Sequence, residues 1–246
     1  MRPIKNSYTL LGAGLLLLGA GLSVISSFIL ESTPLTALGI SAFILGAICV
    51  ALARTRPNIS PEVSVILLET GIENTAAIVE ELGLNSSAIY IPSSATREGG
   101  SAVIPINSRT DVHIRNNIPK RLITKYGNAD DDIGIMVTTP GKACLRILKQ
   151  KPGSTTSEIE AAITSLVSGT LDIADSARVN ISDRRAVVEI VNPRLKHRDT
   201  KFYRCVGSPL ASIVATLVCE AMDRPLVIEA EKRGKGKTII ELRIMD

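Results

Sequence analysis

Two short stretches of this chain carry residue types that could bind or react with a small molecule. The first is a hydroxyl-rich loop with one arginine and two final glycines, Ser93-Ser94-Ala95-Thr96-Arg97-Glu98-Gly99-Gly100. Such a loop cradles a phosphate when it joins a strand to the N-terminus of a helix. Here the next segment, Ser101 to Ile106, is predicted to be a strand, and no G-x-x-x-x-G-K-S/T motif is present. The pattern favours a β-hairpin turn, with an anion contact by Ser94 or Arg97 as the alternative.

The second stretch lies directly before a predicted helix that begins at Pro209. Ser208 is the expected N-cap, and the positive end of the helix dipole could bind a carboxylate or phosphate. The same dipole could lower the pKa of Cys205, but a nucleophilic cysteine needs a base, and only His197 is a candidate. Ordinary capping is the simpler interpretation. The candidate ligand-binding residues are therefore Arg204, Cys205, Gly207 and Ser208, and no catalytic residue is predicted.

The chain offers few residues for a metal centre or a cofactor. It has two histidines, and its four cysteines show no C-x-x-C spacing, which indicates free thiols in a reducing compartment. The acidic run Asp130-Asp131-Asp132 lacks the spaced ligands of a calcium loop. We therefore expect no metal and no cofactor. The formal net charge of +4 is too small to indicate a specific nucleic-acid partner.

The N-terminal part of the chain reads as a membrane hairpin. Residues 8–30 and 34–53 are two uncharged apolar runs joined by Glu31-Ser32-Thr33. At 1.5 Å per residue the first run is roughly 34 Å long, enough to cross a bilayer core of about 30 Å. Arg2 and Lys5 resemble the start of a signal peptide, but the first run is too long for one and a second run follows. We predict spans over these two ranges and a membrane domain over 1–56.

Charges and glycines refine this hairpin. Cations precede the first span and follow the second, whereas only Glu31 lies between them, so the positive-inside rule places both termini in the cytoplasm. Glycines recur seven residues apart within each span, which returns small residues to nearly one helix face. They indicate a tight hairpin or a seam between protomers, formed by Gly12, Gly19, Gly39 and Gly46. No charged residue lies within either span, which favours an anchor over a transporter.

Residues 57–246 are predicted to form a cytoplasmic α+β domain. Helix–strand–strand order recurs three times, which indicates helices packed on a largely antiparallel sheet. The predicted strands include Val63–Leu68 and Ala143–Leu148, and the second of these follows a turn at Pro140-Gly141. Thr155 and Glu158 form a capping box at the start of another helix. The basic run from Asn192 to Arg204 is a solvated linker or a contact for anionic headgroups.

The last helix–strand–strand unit, GSPLASIVATLVCEAMDRPLVIEAEKRGKGKTIIELRI, resembles the C-terminal unit of the vinyl-reductase-like ligand-binding domains. The resemblance implies a ligand-binding or scaffold module without catalysis. The cysteine pair of many such domains is absent, with Lys232 and Thr238 in that region instead. Glycine-rich spans, many Ile and Val residues and few aromatics also resemble small archaeal or bacterial membrane proteins.

These observations predict a membrane-anchored cytoplasmic binding, scaffold or assembly module without catalytic machinery. Its expected partners are the lipid bilayer and either another protein or further copies of the chain. Two alternatives are a membrane-tethered sensor or enzyme that uses Arg204–Ser208, and a self-assembling structural membrane protein. The enzyme requires that this stretch and the Ser94–Arg97 loop meet in one pocket.

Overall fold

The computed structural model describes residues 7–55, 61–96, 101–107, 113–148, 151–195 and 197–245. The chain divides into two compact units, Met1–Leu68 and Glu69–Asp246. The division lies within a helix, twelve residues after the predicted boundary at residue 56. The helices are α1 Ser7–Phe28, α2 Thr33–Thr55, α3 Pro61–Glu81, α4 Pro140–Leu148, α5 Thr156–Thr164, α6 Lys201–Val206 and α7 Pro209–Met222. The strands are β1 Ile89–Ile91, β2 Ser101–Pro105, β3 Ile123–Lys125, β4 Ile133–Val137, β5 Ser176–Ser182, β6 Arg185–Val191, β7 Leu226–Gly234 and β8 Lys237–Ile244.

Helices α1 and α2 form a tightly packed hairpin. A Cβ atom at Gly19 would lie 2.4 Å from the backbone nitrogen of Phe43 and 2.8 Å from the carbonyl oxygen of Gly39, so only glycine permits this approach. At the closed end, the Ser26 hydroxyl is buried and lies 2.9 Å from the Thr36 hydroxyl. Large apolar side chains point outward along both helices. Both helices are long and apolar enough to span a membrane.

Helix α3 corrects the predicted strand over Val63–Leu68. A short apolar run does not distinguish a strand from a helix by its periodicity alone, so the flanking residues decide. Pro61 is compatible with the first turn of a helix, because its missing N–H has no intrahelical partner there. No proline interrupts the following residues, and the helix continues to Glu81. The predicted helix over residues 74–82 is the second half of α3.

The eight strands of the described residues form one antiparallel sheet in the order β3-β4-β2-β1-β7-β8-β6-β5. Three helix–strand–strand units contribute the hairpins β1–β2, β5–β6 and β7–β8, and β3, β4 and α4 lie between the first unit and the second. The predicted α+β class with an antiparallel sheet is therefore confirmed. The capping box of Thr155 and Glu158 at the start of α5 is also confirmed.

One face of the sheet is covered by helices and carries the main core. Side chains of α5 and α7, such as Ile159 and Leu217, pack there against inward residues of the central strands, such as Ile104 and Leu242. The other face of the first four strands carries a second, smaller core. It is covered by the segment before β3, and Ile118, Tyr126 and Met136 are buried within it.

Helix α4 corrects the predicted strand over Ala143–Leu148. Pro140-Gly141 does not make a turn between strands but begins this helix, where a proline N–H is not needed. Cys144, Leu145 and Leu148 lie on one side of α4 and pack against the main core, which is helical spacing. Two short elements, β3 and α6, were not predicted, since three to six residues carry too little periodicity.

Candidate functional site

The two loops singled out in the sequence lie at opposite ends of α7. Ser208 is the N-cap of this helix, and Ser94 binds Asp223, which ends the helix in a left-handed conformation. A helix of 14 residues is roughly 21 Å long. The two loops therefore do not meet in one pocket, which removes the geometry required for a shared active site.

The N-terminal end of α7 is occupied by the protein itself. The Ser208 hydroxyl accepts a hydrogen bond from the Ala211 N–H at 3.0 Å, so the predicted cap is confirmed. The Ser208 N–H donates to the Glu231 carboxylate at 3.4 Å, where a bound anion would otherwise lie. Gly207 has φ 80°, and a Cβ atom there would lie 2.5 Å from Cδ1 of Ile228. Arg204 pairs with Asp199 at 2.8 Å on the surface.

Cys205 is buried beneath this end of the helix and is not activated. Its thiol donates a weak hydrogen bond to the Leu84 carbonyl at 3.7 Å. Burial raises the pKa of Cys205 above its ordinary value, and nearby Lys201 opposes this only in part. The predicted lowering of that pKa is therefore wrong, because burial disfavours the charged thiolate. In the described part of the chain, His197 contacts Arg233 and Tyr203 instead.

The Ser93–Ser94 loop binds the other end of α7. It joins β1 to its antiparallel partner β2, so the hairpin interpretation is confirmed. The Ser93 N–H and hydroxyl both donate to the buried Glu220 carboxylate, at 2.8 and 2.5 Å. The Ser94 hydroxyl donates to Asp223 at 2.7 Å. Ser94 thus binds an internal carboxylate, and Arg97 lies outside the described residues.

Helix α7 also carries a buried polar stripe that the sequence analysis did not identify. Its members recur every fourth residue and are all buried: Ser208, Ser212, Thr216 and Glu220. Thr216 lies 3.1 Å from the Thr139 hydroxyl and also donates to the Ser212 carbonyl. The four-residue spacing is visible in the sequence, but the apolar residues between these positions form the stronger helical pattern.

Tyr90 faces this stripe from β1. Its hydroxyl donates to the Val206 carbonyl at 2.5 Å. Burial raises the pKa of Tyr90 far above its ordinary value, and the Ser212 hydroxyl opposes that rise. The phenol is therefore neutral and serves to hold the polypeptide just before α7. The polar stripe and Tyr90 position α7 on the sheet and do not form a reactive centre.

A cleft of about 490 Å³ lies on the sheet face opposite the main core. Ile89, Val227 and Met245 form its apolar floor, at the edge of the smaller core. The bulge in β7 between Ile228 and Ala230 lies beside it. Bulges redirect side chains, and they are frequent next to functional sites. The bulge could not be predicted, since the strand shows ordinary alternation in the sequence.

Charged side chains form one wall of the cleft. Glu229 accepts a charge-assisted contact from Arg243 at 3.0 Å, and Arg185 lies 3.9 Å from the same carboxylate. Asn85 and two serines line the opposite side. An apolar floor with a few convergent polar groups is typical of binding pockets of 300–1,000 Å³. Among the described residues, no group of three His, Cys, Asp or Glu side chains could hold a metal ion.

Comparison with known proteins identifies one family. A model described as "Domain of unknown function (DUF7982)" matches residues 3–244. The chain belongs to this family. No curated protein and no solved structure matches the chain. The comparisons therefore give no support to the resemblance to vinyl-reductase-like domains or to an archaeal or bacterial origin.

The unit Glu69–Asp246 is called the sheet domain from here on. Its acidic residues neutralise much of the basic run before α7. Arg194 pairs with Asp172 at 2.6 Å and also with Asp175. Arg198 lies 3.6 Å from Glu73 on α3. Lys196 lies outside the described residues. These contacts support a structured linker more than a free basic surface.

The outer edge of the sheet at β5 is closed to an added strand. The Val179 N–H donates to Glu160 of α5 at 2.8 Å, and the Ala177 N–H donates to the Thr164 hydroxyl at 3.1 Å. Side chains of α5 thus occupy edge groups that another strand would need. The opposite edge strand, β3, has only three residues. Neither edge strand of the described sheet therefore offers a long free edge for strand addition.

Proposed function

We propose that this chain is a membrane-anchored binding module without catalytic activity. The hairpin anchors it, and the sheet domain binds a protein segment or a small amphipathic molecule in the cleft beside Glu229 and Arg243. The single observation that carries the proposal is this cleft, with its apolar floor and its charged wall on the sheet face opposite the main core. The module acts as a scaffold or assembly factor at the membrane surface.

The exposed surface of the hairpin supports the anchoring. Leu17 and Phe28 are 77% and 81% exposed, and similar side chains surround both helices. The contact between α1 and α2 is made largely by glycines and small residues, so it covers little of this apolar surface. A bilayer core covers the remainder without leaving any charged side chain of α1 residues 10–28 or α2 residues 33–53 in the lipid.

The orientation follows from charge and is part of the proposal. Arg2 and Lys5 precede α1, Arg54 and Arg56 lie at and after the end of α2, and Glu31 lies between the helices. The positive-inside rule then places the sheet domain in the cytoplasm. Buried free thiols at Cys144, Cys205 and Cys219 agree with a reducing compartment.

The test is native mass spectrometry of the full-length protein, released gently from its own membrane. We compare the wild type with the cleft variant Glu229→Ala/Arg243→Ala and with a matched control, Glu189→Ala/Lys237→Ala. The control removes an ion pair of 3.7 Å on the same sheet face but outside the cleft. We expect an added mass of protein or small molecule on the wild type and on the control, and its loss from the cleft variant.

The other outcomes argue against the proposal. An added mass that is retained by the cleft variant places the binding site elsewhere. A wild-type chain without any added mass argues against a stable binding module. Release of the chain from the membrane by an alkaline wash would contradict the anchoring.

A further inference from the structure

A second concave surface lies on the segment that leads into β3. It shares no lining residue with the cleft beside Glu229. We call it the basic cleft and define it by Arg115, Arg121, Ile123 and Lys125, which line a cavity of about 340 Å³. Lys125 pairs with Asp130 at 2.8 Å. Within the described residues, the guanidinium groups of Arg115 and Arg121 have no acidic partner. The basic cleft therefore has positive charge available for an anion.

Large apolar side chains stand beside these cations. Ile123 lines the basic cleft and is 60% exposed, and Leu122, which precedes it in the chain, is 65% exposed. Exposed apolar side chains that adjoin one another often mark a contact with a membrane or with another protein. Nucleic acid or an acidic peptide would use the cations but would leave both apolar side chains in water.

The backbone presents these side chains in a fixed arrangement. The Leu122 carbonyl accepts a hydrogen bond from the Met136 N–H at 2.8 Å, which ties the segment to β4. The Arg115 N–H donates to the Tyr126 carbonyl, also at 2.8 Å. Ile118 is buried in the smaller core and holds the segment between them. The surface is thus formed before any partner binds, and little ordering is needed on binding.

Two of the nearby acidic residues are engaged by groups other than Arg115 and Arg121. Asp130 is engaged by Lys125, and the Asp132 carboxylate accepts the Ala129 N–H at 2.8 Å. These residues follow Lys125 in the connection between β3 and β4. Arg121 and Leu122 lie before β3, at its other end.

We propose that the basic cleft docks the sheet domain on the anionic leaflet of the membrane. Arg115 and Arg121 contact lipid phosphates, while Leu122 and Ile123 enter the boundary between headgroups and acyl chains. Each cation near an anionic leaflet contributes about fivefold to binding, and the apolar pair adds to it. The inference rests on the proposed membrane anchoring, because a tethered domain meets the leaflet at high effective concentration.

Tryptophan fluorescence tests this directly, because the chain contains no tryptophan. Full-length Leu122→Trp is reconstituted into vesicles of phosphatidylcholine alone or with phosphatidylglycerol, with acyl chains brominated near the headgroup as quenchers. Ile147→Trp, at an exposed apolar position on α4, is the matched control. We expect quenching of the Leu122→Trp variant that rises at least severalfold with phosphatidylglycerol. High salt or Arg115→Gln/Arg121→Gln should reduce it to the level of the control.

Each remaining outcome overturns the inference, at one of two levels. If the chain does not float with the vesicles on a density gradient, the anchoring itself fails and the docking fails with it. If the chain floats but the introduced tryptophan is quenched no more than in Ile147→Trp, only the docking is wrong. Quenching that does not depend on phosphatidylglycerol or on the two arginines contradicts the role given to the cations. Protection of the tryptophan by added nucleic acid in place of lipid assigns the surface to a different partner.

Discussion

Among the described residues, three stretches are long and apolar enough to cross a membrane, yet they occupy two different environments. The first two lie in α1 and α2, and only 17% and 11% of their residues are buried inside the protein. The third covers α6 and α7, and 83% of its residues are buried. The large apolar side chains of α1 face outward, whereas those of α7 face the sheet and neighbouring helices.

The difference lies in what stands between the apolar residues. Helix α1 places glycines at its contact with α2, and such small residues let two helices pack closely where lipid provides no hydrophobic drive. Helix α7 places Ser208, Ser212, Thr216 and Glu220 on one stripe, and protein groups satisfy several of them. A stripe of glycines is suited to a membrane pair, and a stripe of hydrogen-bonding side chains is suited to a protein core. Mean hydropathy alone does not separate the two.

The largest effect is expected at the glycine contact of the hairpin. Gly19→Leu drives a side chain into the backbone of α2 at Phe43, and overpacking of this kind costs about 3 kcal/mol or more. Gly14→Leu is the matched control, because a Cβ atom there meets nothing within 4 Å. Energy transfer between labels on α1 and α2, followed during SDS titration, should show early separation for Gly19→Leu alone. Equal behaviour of the two variants would contradict the close contact.

This result also separates the hairpin from self-assembly. Gly12, Gly19, Gly39 and Gly46 all lie at the contact between α1 and α2 of one chain, so Gly19→Leu does not probe a contact between chains. Its effect on the energy transfer within one molecule should be independent of protein concentration. A concentration-dependent effect would indicate a seam between protomers instead.

The next effect is expected at the polar stripe of α7. Glu220→Ala removes the charged, buried acceptor of the Ser93 N–H and hydroxyl, which costs about 1.5–3 kcal/mol. Glu220→Gln retains an acceptor oxygen and should cost less than half as much. Urea denaturation of the full chain in micelles, followed by circular dichroism of the sheet domain, measures both variants. A smaller loss of stability for alanine than for glutamine would show that an acceptor oxygen at this position does not stabilise the fold.

A smaller effect is expected for Tyr90→Phe. The substitution removes the hydrogen bond to the carbonyl of buried Val206, at a cost of about 1–2 kcal/mol. Tyr203→Phe is the comparison, since this tyrosine is only partly buried. The same urea titration should show a lower midpoint for Tyr90→Phe and little change for Tyr203→Phe. If the midpoints coincide, the tyrosine contributes through packing alone.

The smallest effect is expected at Asp223, and it depends on pH. The Ser94 hydroxyl, followed by Lys151, lowers the pKa of the Asp223 carboxyl below its ordinary 3.8. A lowered carboxyl pKa stabilises the folded chain above the unfolded pKa, and this contribution is lost as the pH falls through the folded pKa. Ser94→Ala should therefore cost about 0.5 kcal/mol near neutral pH, and the difference should vanish below the folded pKa. Urea midpoints at several pH values measure it, and a constant difference would rule out the linkage to Asp223.

Local signals predicted the fold class and several helix and strand boundaries. The capping box at Thr155, the N-cap at Ser208 and the alternation of β5 and β6 are properties of a few adjacent residues, so they are legible without tertiary structure. The two wrong strands, Val63–Leu68 and Ala143–Leu148, are short apolar runs. Periodicity alone does not separate helix from strand in such runs, and Pro61 and Pro140, which begin the two helices, are equally common in loops and turns.

The candidate sites were harder to predict from the sequence than the fold was. Arg204, Cys205 and Ser208 are adjacent in the chain, but the structure gives each a separate internal partner or a buried place. The cleft beside Glu229 and Arg243 instead joins residues far apart in the chain through the pairing of β7 with β8. A bulge and a cross-strand ion pair leave no local signature, so the sequence could not indicate them.

The sequence by itself determined the two apolar helices, the seven-residue glycine spacing and the order of the helix–strand–strand units. These features depend on hydropathy, residue size and backbone preference over short distances. Only the tertiary structure decided which apolar helix is buried in protein, which carboxylate caps α7 and which cations remain available in the basic cleft. Those outcomes depend on desolvation and pairing between distant residues, since a charge or a thiol takes its properties from the groups that fold against it.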